Sequence, residues 1–255
     1  MQSKLVFAKQ LVYEAGDYVR EHMKEELNID TKSARNDFVT NVDKGTEKFL
    51  ADRINAKYPN QNFITEEKMV ASTGLDNLWI IDPIDGTSNF IFEKRNFAIS
   101  VGYYEEQKPV FGIVYDVSRD EMYVGVTGDG AYLNDRKLPM LSQTITLMDS
   151  VVYSDTKTLE LMFGDAVKAH DEFMSVRYMG AASLEICGVA AGRHQVYLSR
   201  RLKVWDIAAA TIILEAVGGA FTYDTCDNKV IFEDKNYEFM CASNPTVIQE
   251  LKDRR

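Results

Sequence analysis

Residues 78–90 read LWIIDPIDGTSNF. Leu78, Trp79, Ile80 and Ile81 suit a buried strand, and they run directly into Asp82, Pro83, Ile84, Asp85 and Gly86. Two acids at the end of a core strand cost free energy unless something positive stands between them. Pro83 fixes one dihedral and Gly86 permits a conformation that a side chain resists, so a turn is expected after Ile81, bending both carboxylates toward one point. The Ile84 carbonyl, caught between them, can face the same point. Carboxylate and carbonyl oxygens suit Mg²⁺ or Mn²⁺, whereas the scattered His22, His170 and His194 offer zinc little. The plainer reading is a tight turn in which Asp85 caps a following helix.

Other segments bring acids to similar places. NFIT (62–65) reads as a strand delivering Glu66 and Glu67, and two strand ends can meet at one sheet edge. Side chains alternate along an extended segment, so one glutamate of the pair is expected to reach a shared site. Asp206, in RLKVWDIAAATIILEAVGG, is placed to cap a strongly apolar and therefore buried helix, with Trp205 packing beside it. A helix opening beside a metal cluster would give Asp206 a second task. Asp43 either caps a helix from Lys44 or, paired with the Thr87 hydroxyl, orients a water that a metal activates. Gly86, Thr87 and Ser88, and likewise the GAAS run Gly180–Ser183, can open helices whose free N–H groups receive phosphate. Neither run matches a nucleotide-triphosphate loop or a dinucleotide fingerprint. Lys32 and Arg35 can add positive potential or stand solvated in a polar loop.

At 255 residues the chain can build one extended α/β domain or two closely joined halves. Helices are expected over Leu5–Leu27 and Lys44–Tyr58, the second stopped by Pro59. The apolar runs between Phe97 and Asp135, separated by EEQKP, SRD and GDG, predict an antiparallel meander. After Met148 strand and helix alternate, with helices to about His170, over AASLEICGVAAG and over Ile207–Val217, and strands at SVVYS, SVRYM, HQVYL and AFTYD. The expected division places helices and a mainly antiparallel sheet with Glu66 and DPIDGT in 1–140, and an alternating α/β half with WD in 141–255, both forming one compact unit. With 29 basic and 39 acidic residues the formal charge is −10, which disfavours nucleic acid as a partner. Three cysteines without ligand spacing, no signal-peptide core and no membrane-length apolar run point to a cytoplasmic protein.

Taken together, EE, DPIDGTSNF and, about 120 residues later, WDIAAA resemble the signature motifs of the inositol monophosphatase family, in order and spacing along nearly the whole chain. The resemblance implies a layered α/β/α/β/α sandwich of the sugar-phosphatase type, commonly a homodimer, hydrolysing a small phosphorylated metabolite. It implies two or three Mg²⁺ ions, with Mn²⁺ as a substitute, ligated by Glu66, Asp82, the Ile84 carbonyl, Asp85 and Asp206. Thr87, supported by Asp43, then orients the attacking water. Phosphate is received at Gly86 and Thr87 and at Gly180, Ala181 and Ala182, and Lys32 lies in a loop near the third metal.

One departure bears on specificity. Family members active on inositol phosphates usually carry a Glu seven residues before the metal-binding Asp, and Ser199 stands there, followed by Arg200 and Arg201. Loss of an acid and gain of two positive charges make a substrate with further phosphates credible: NADP, a sugar bisphosphate such as fructose 1,6-bisphosphate, or 3′-phosphoadenosine 5′-phosphate. A reading of another class is a regulatory, protein-binding module of the transcription or RNA machinery that keeps an inherited metal site.

Overall fold

The computed structural model of the protein describes residues 2–32, 38–70 and 74–254. Helix α1 (Gln2–His22) leads through a hairpin of β1 (Ile29–Thr31) and β2 (Phe38–Thr40) into helix α2 (Asn41–Lys57). A seven-stranded sheet follows in chain order: β3 (Asn62–Thr65), β4 (Leu78–Asp85), β5 (Ala98–Glu105), β6 (Lys108–Asp116), β7 (Glu121–Val126), β8 (Gly130–Leu133) and β9 (Arg136–Lys137). The short helix α3 (Thr87–Phe92) bridges β4 and β5. β3 and β4 run parallel, each later neighbour runs antiparallel, and from β5 onward the strands follow through the expected tight connections.

The chain then alternates: β10 (Val151–Tyr153), α4 (Thr156–Phe163), α5 (Ala166–Ala169), β11 (Ser175–Arg177), α6 (Ala182–Ala190), β12 (Val196–Leu202), α7 (Val204–Glu215), β13 (Ala220–Tyr223), β14 (Cys226–Asp227), β15 (Tyr237–Ala242) and α8 (Pro245–Asp253). These strands form a six-stranded sheet in the order β11-β10-β12-β15-β13-β14. Helices α1 and α2 cover the outer face of the first sheet, α6 and α7 lie between the sheets, and α4, α5 and α8 cover the outer face of the second. The result is the five-layered α/β/α/β/α sandwich that the resemblance implies.

The central helix explains its own composition. Between two sheets α7 has no solvent face, and all of its residues except Asp206 and Glu215 are buried, so an amphipathic pattern would be out of place. The first sheet meets it with three glycines in one cross-strand row: Gly102 pairs with Gly112, and Gly112 with Gly125. A Cβ on Gly112 would stand 2.1 Å from the Ala209 carbonyl oxygen, and one on Gly125 2.5 Å from the Ile213 Cα. The helix backbone therefore lies directly on the sheet, with no side chain between them.

Several expected boundaries differ. α1 ends at His22 rather than Leu27, and the helix expected to reach His170 is interrupted at Gly164, whose φ of 78° ends α4. Strand β12 runs on to Leu202, and α7 starts three residues earlier than expected, at Val204. β15 and α8 were not anticipated.

Candidate active site

Strand β4 does not turn after Ile81. It continues through Pro83 to Asp85, and its pairing with β5 shifts register between Asp82 and Asp85, a bulge that re-aims side chains locally. Both carboxylates are buried. Asp82 Oδ1 accepts from the Ile84 amide at 3.0 Å. Asp85 reaches across to α6, its Oδ1 accepting from Ala182 N (3.1 Å) and its Oδ2 from Ser183 N (2.7 Å) and Ser183 Oγ (2.5 Å). It therefore anchors the helix after the GAA turn rather than capping α3, whose N-cap is Gly86 at φ 87° with no side-chain cap. A Cβ at Gly86 would lie 3.0 Å from Ala181 Cβ, so the two candidate phosphate-binding turns press together there.

Asp206 is the third residue of α7, not its N-cap, and its Oδ2 accepts from the Lys203 amide at 2.7 Å, fixing the carboxylate at the helix opening. Glu66 follows the end of β3, which runs beside β4. Burial, and then the repulsion of Glu66, Asp85 and Asp206, hold the Asp82 pKa well above the usual carboxylate range. Burial, then Asp85 and Glu66, do the same for Asp206. Asp85 is pushed up to about 6, chiefly by burial, against the bonds from Ser183 and Ala182. These four acids feel one another strongly.

Alternation does not separate Glu66 from Glu67, because both lie beyond the strand. The Lys32 ammonium sits 2.7 Å from Glu66 Oε1 and 2.5 Å from Glu67 Oε1. Its pKa is raised because the two carboxylates outweigh burial. Arg35 lies outside the described residues. Glu47, fully buried on α2, was missed: it accepts from Thr65 Oγ1 (2.8 Å), Glu67 N (2.7 Å) and Met69 N (2.6 Å), and so shapes the loop carrying Glu66. Asp43 and Glu47, four apart on the buried face of one helix, were the available signal.

Asp43 is the third residue of α2 in a capping box with Thr40, whose amide (2.9 Å) and hydroxyl (2.5 Å) both donate to Oδ2. The Thr87 hydroxyl lies 3.1 Å from Asp43 Oδ1 and 3.1 Å from the Ile84 carbonyl, so its proton is shared by two acceptors. Burial pushes Asp43 up to about 6 against the pull of Thr40.

Beside these groups opens a cavity of about 450 Å³ whose wall includes Asp85, Asp206, Gly180, Ala182, Ser199 and Arg200. Arg201 lines it too, because β12 shifts register between Ser199 and Leu202 and the bulge overrides the alternation that would turn one arginine away. Arg200 also lies near Glu238, at 3.7 Å. In the GAA turn, Gly180 N donates to Glu185 (3.2 Å) and Ala182 N to Asp85 (3.1 Å).

As donors these residues suit a hard divalent cation: their atoms are carboxylate and carbonyl oxygens, buried and short of positive charge. Among the described residues, no three His, Cys, Asp or Glu side chains close into a ready-made metal cage. The arrangement is an open acidic site with Lys32 against its Glu66 flank.

A five-layered sandwich whose acidic strand ends and helix openings gather beside one cavity has the layout of a small-molecule phosphatase. A model of the inositol monophosphatase family matches residues 1–253. The inositol-1-monophosphatase of Bacillus subtilis (strain 168) is 39% identical over 250 residues, covering 94% of this chain and 91% of its own. The Nus factor SuhB of Pasteurella multocida (strain Pm70) is 31% identical, covering 91% of this chain and 86% of its own. A solved structure described as an IMPase/NADP phosphatase complexed with Mg²⁺ and phosphate superposes with a TM-score of 0.88 at 27% identity, over 99% of this chain and 94% of that one. The chain belongs to the inositol monophosphatase family.

Proposed function

We infer that the protein hydrolyses small-molecule phosphate monoesters with Mg²⁺, inositol monophosphate being the first candidate substrate. The observation that carries this is the mutual repulsion of Glu66, Asp82, Asp85 and Asp206 in a buried setting with little compensating charge. With the Ile84 carbonyl they would hold two or three Mg²⁺ ions, or Mn²⁺ in their place. Such ions, when bound, supply charge compensation for phosphate and bring water to ionisation near neutral pH.

The remaining tasks fall to the chain itself. Thr87 gives its proton to Asp43 or to the Ile84 carbonyl, so its lone pairs are free to accept from the attacking water and fix its direction. Since Gly180 and Ala182 already donate within the fold, phosphate at that turn falls to Ala181, together with Gly86 and Thr87 at the start of α3. Lys32 holds the Glu66–Glu67 loop near the site. We take residues 1–140 and 141–255 as two halves of one unit, acting in the cytoplasm as a homodimer.

A second reading, hydrolysis of NADP, fructose 1,6-bisphosphate or 3′-phosphoadenosine 5′-phosphate, is favoured by Arg200 and Arg201 beside Ser199 on the cavity wall. The likeness to a Nus factor keeps a regulatory role as the reading of another class. Phosphate release from inositol 1-phosphate and these three esters, with Mg²⁺ and after chelation, is the test. Mg²⁺-dependent turnover is expected. Absence of release from all four would sink the hydrolase reading.

A further inference from the structure

Asp43 and Glu47 stand one turn apart on α2, and both are fully buried. Asp43 Oδ1 meets the Thr87 hydroxyl at 3.1 Å. Glu47 reaches a different part of the site. Its Oε1 accepts from Thr65 Oγ1 (2.8 Å) and Met69 N (2.6 Å), and its Oε2 accepts from Glu67 N (2.7 Å). One carboxylate therefore grips the chain on both sides of Glu66, whose own amide donates to the Ile81 carbonyl at 3.3 Å.

Apolar packing does not hold the tip of this loop, since Lys68 and Met69 are both exposed. Lys68 also sits at φ 55°, in the left-handed region that a side chain resists. The amides on either side of it, those of Glu67 and Met69, are the two that Glu47 accepts from, so the strained residue is pinned from both flanks. An amide in place of the acid could not do the same. Glutamine has one oxygen and one NH₂ group, and the NH₂ would face a donor whichever way it turned. A buried carboxylate is unfavourable unless donors surround it, and here every partner is a donor to it.

We propose that Glu47 is a positioning residue of the metal site: by straddling Glu66 it fixes the direction in which that carboxylate is presented to a divalent cation. With Asp43 it makes α2 the common base from which Glu66 and Thr87 are set relative to each other. This rests on the Mg²⁺-dependent hydrolase reading above and adds to it a residue that touches neither cation nor substrate.

Calorimetric titration of the metal-free full chain with Mg²⁺ separates this role from simple loop closure, because a bond that only closes a loop has no reason to depend on the Glu66 carboxylate. Glu47→Gln is expected to weaken the tightest Mg²⁺ binding about tenfold, equivalent to about 1.4 kcal/mol. Glu66→Gln should weaken it at least as much. The double variant should bind no more weakly than Glu66→Gln alone, since Glu47 acts through the group already removed. If Glu47→Gln does not fold, Thr65→Val takes its place: it removes one of the donors, and its expected loss of about threefold should likewise vanish beside Glu66→Gln. Unchanged Mg²⁺ affinity in the folded variant, or losses that multiply in the double variant, would overturn the proposal and leave the hydrolase reading intact. A wild type that binds no Mg²⁺, or a Glu66→Gln variant that binds it as the wild type does, overturns the metal reading and this proposal with it.

Discussion

Strands β4 and β6 run in the same direction in one sheet, and each carries a buried aspartate near the same edge, Asp82 and Asp116, each 1% exposed. Asp116 brings its own partners: Oδ1 accepts from Ser118 N (3.0 Å), Ser118 Oγ (2.6 Å) and Arg119 N (3.0 Å), and Oδ2 meets Arg119 Nη1 at 2.6 Å. Asp82 has the Ile84 amide and, around it, other acids. Burial alone therefore does not mark a working carboxylate. The telling property is whether the fold supplies the opposite charge, and at Asp82 it leaves that to something from outside.

The largest effects should come from exchanging these two aspartates for neutral isosteres. Asp82→Asn is expected to lower kcat/KM about a thousandfold or more, the loss of several kcal/mol of charge stabilisation. It should also raise the melting temperature of the metal-free protein, since a like charge is removed. Asp116→Asn should keep turnover near wild type and lower stability by about 1–3 kcal/mol, because it breaks the ion pair of the buried carboxylate with Arg119. Phosphate release and denaturant unfolding read both. A similar loss of activity in the two variants would erase the distinction.

Thr87→Ala is expected to lower kcat about a hundredfold through loss of the oriented hydroxyl. Thr87→Ser should retain much more activity. The hydroxyl caps no helix, since Gly86 is the N-cap of α3, so unfolding free energy should change by less than about 1 kcal/mol. A stability loss large enough to account for the rate would reassign Thr87 to packing.

The smallest effect is on pH dependence without divalent metal. Asp85 is raised to about 6, and burial with the neighbouring acids also raises Asp82 and Asp206, so the native protein holds protons that the unfolded chain releases near the ordinary carboxylate pKa. Stability from these groups is complete below that range and is lost as pH rises through about 6, a change on the order of 1–3 kcal/mol. His194, lowered to about 4 by burial, acts in the opposite sense: its contribution is lost as pH falls from its ordinary value through about 4. Melting temperature in chelator should therefore fall as pH rises through about 6. Mg²⁺ should abolish that fall, and Asp85→Asn should flatten it. A metal-free protein that gains stability over the same interval would contradict the repulsion.

Much of this was legible in the sequence. The hairpin signals gave the meander, and the strand–helix alternation after Met148 gave the second sheet, because local turn chemistry and apolar period agreed there. DPIDGT, the paired glutamates and WD were legible as a set. What misled was local rule against tertiary demand. Pro83 and Gly86 suggested a turn after Ile81, but β5 pairs with β4 through a bulge and keeps the strand going to Asp85. Asp43 and Asp206 looked like N-caps, yet each sits at the third helical position and reaches back to a backbone amide, which only the placement of the preceding residue reveals. Glu47 and Glu185 were hidden because a buried acid within a helix has no punctuation around it to betray its partners.

The row of glycines at 102, 112 and 125 acts as a depth gauge. Three hydrogens in place of side chains set how far α7 sinks onto the sheet, and that depth determines where Asp206, at the mouth of the helix, stands relative to Asp82 on the strand below. Gly112→Ala adds one methyl that must displace the Ala209 backbone. The helix would ride up and the carboxylates would part, although no group in the acidic cluster has been altered. Sensitivity to substitution in this protein thus follows the line along which its central helix rests, and a survey confined to residues around the cavity would miss the positions that calibrate it.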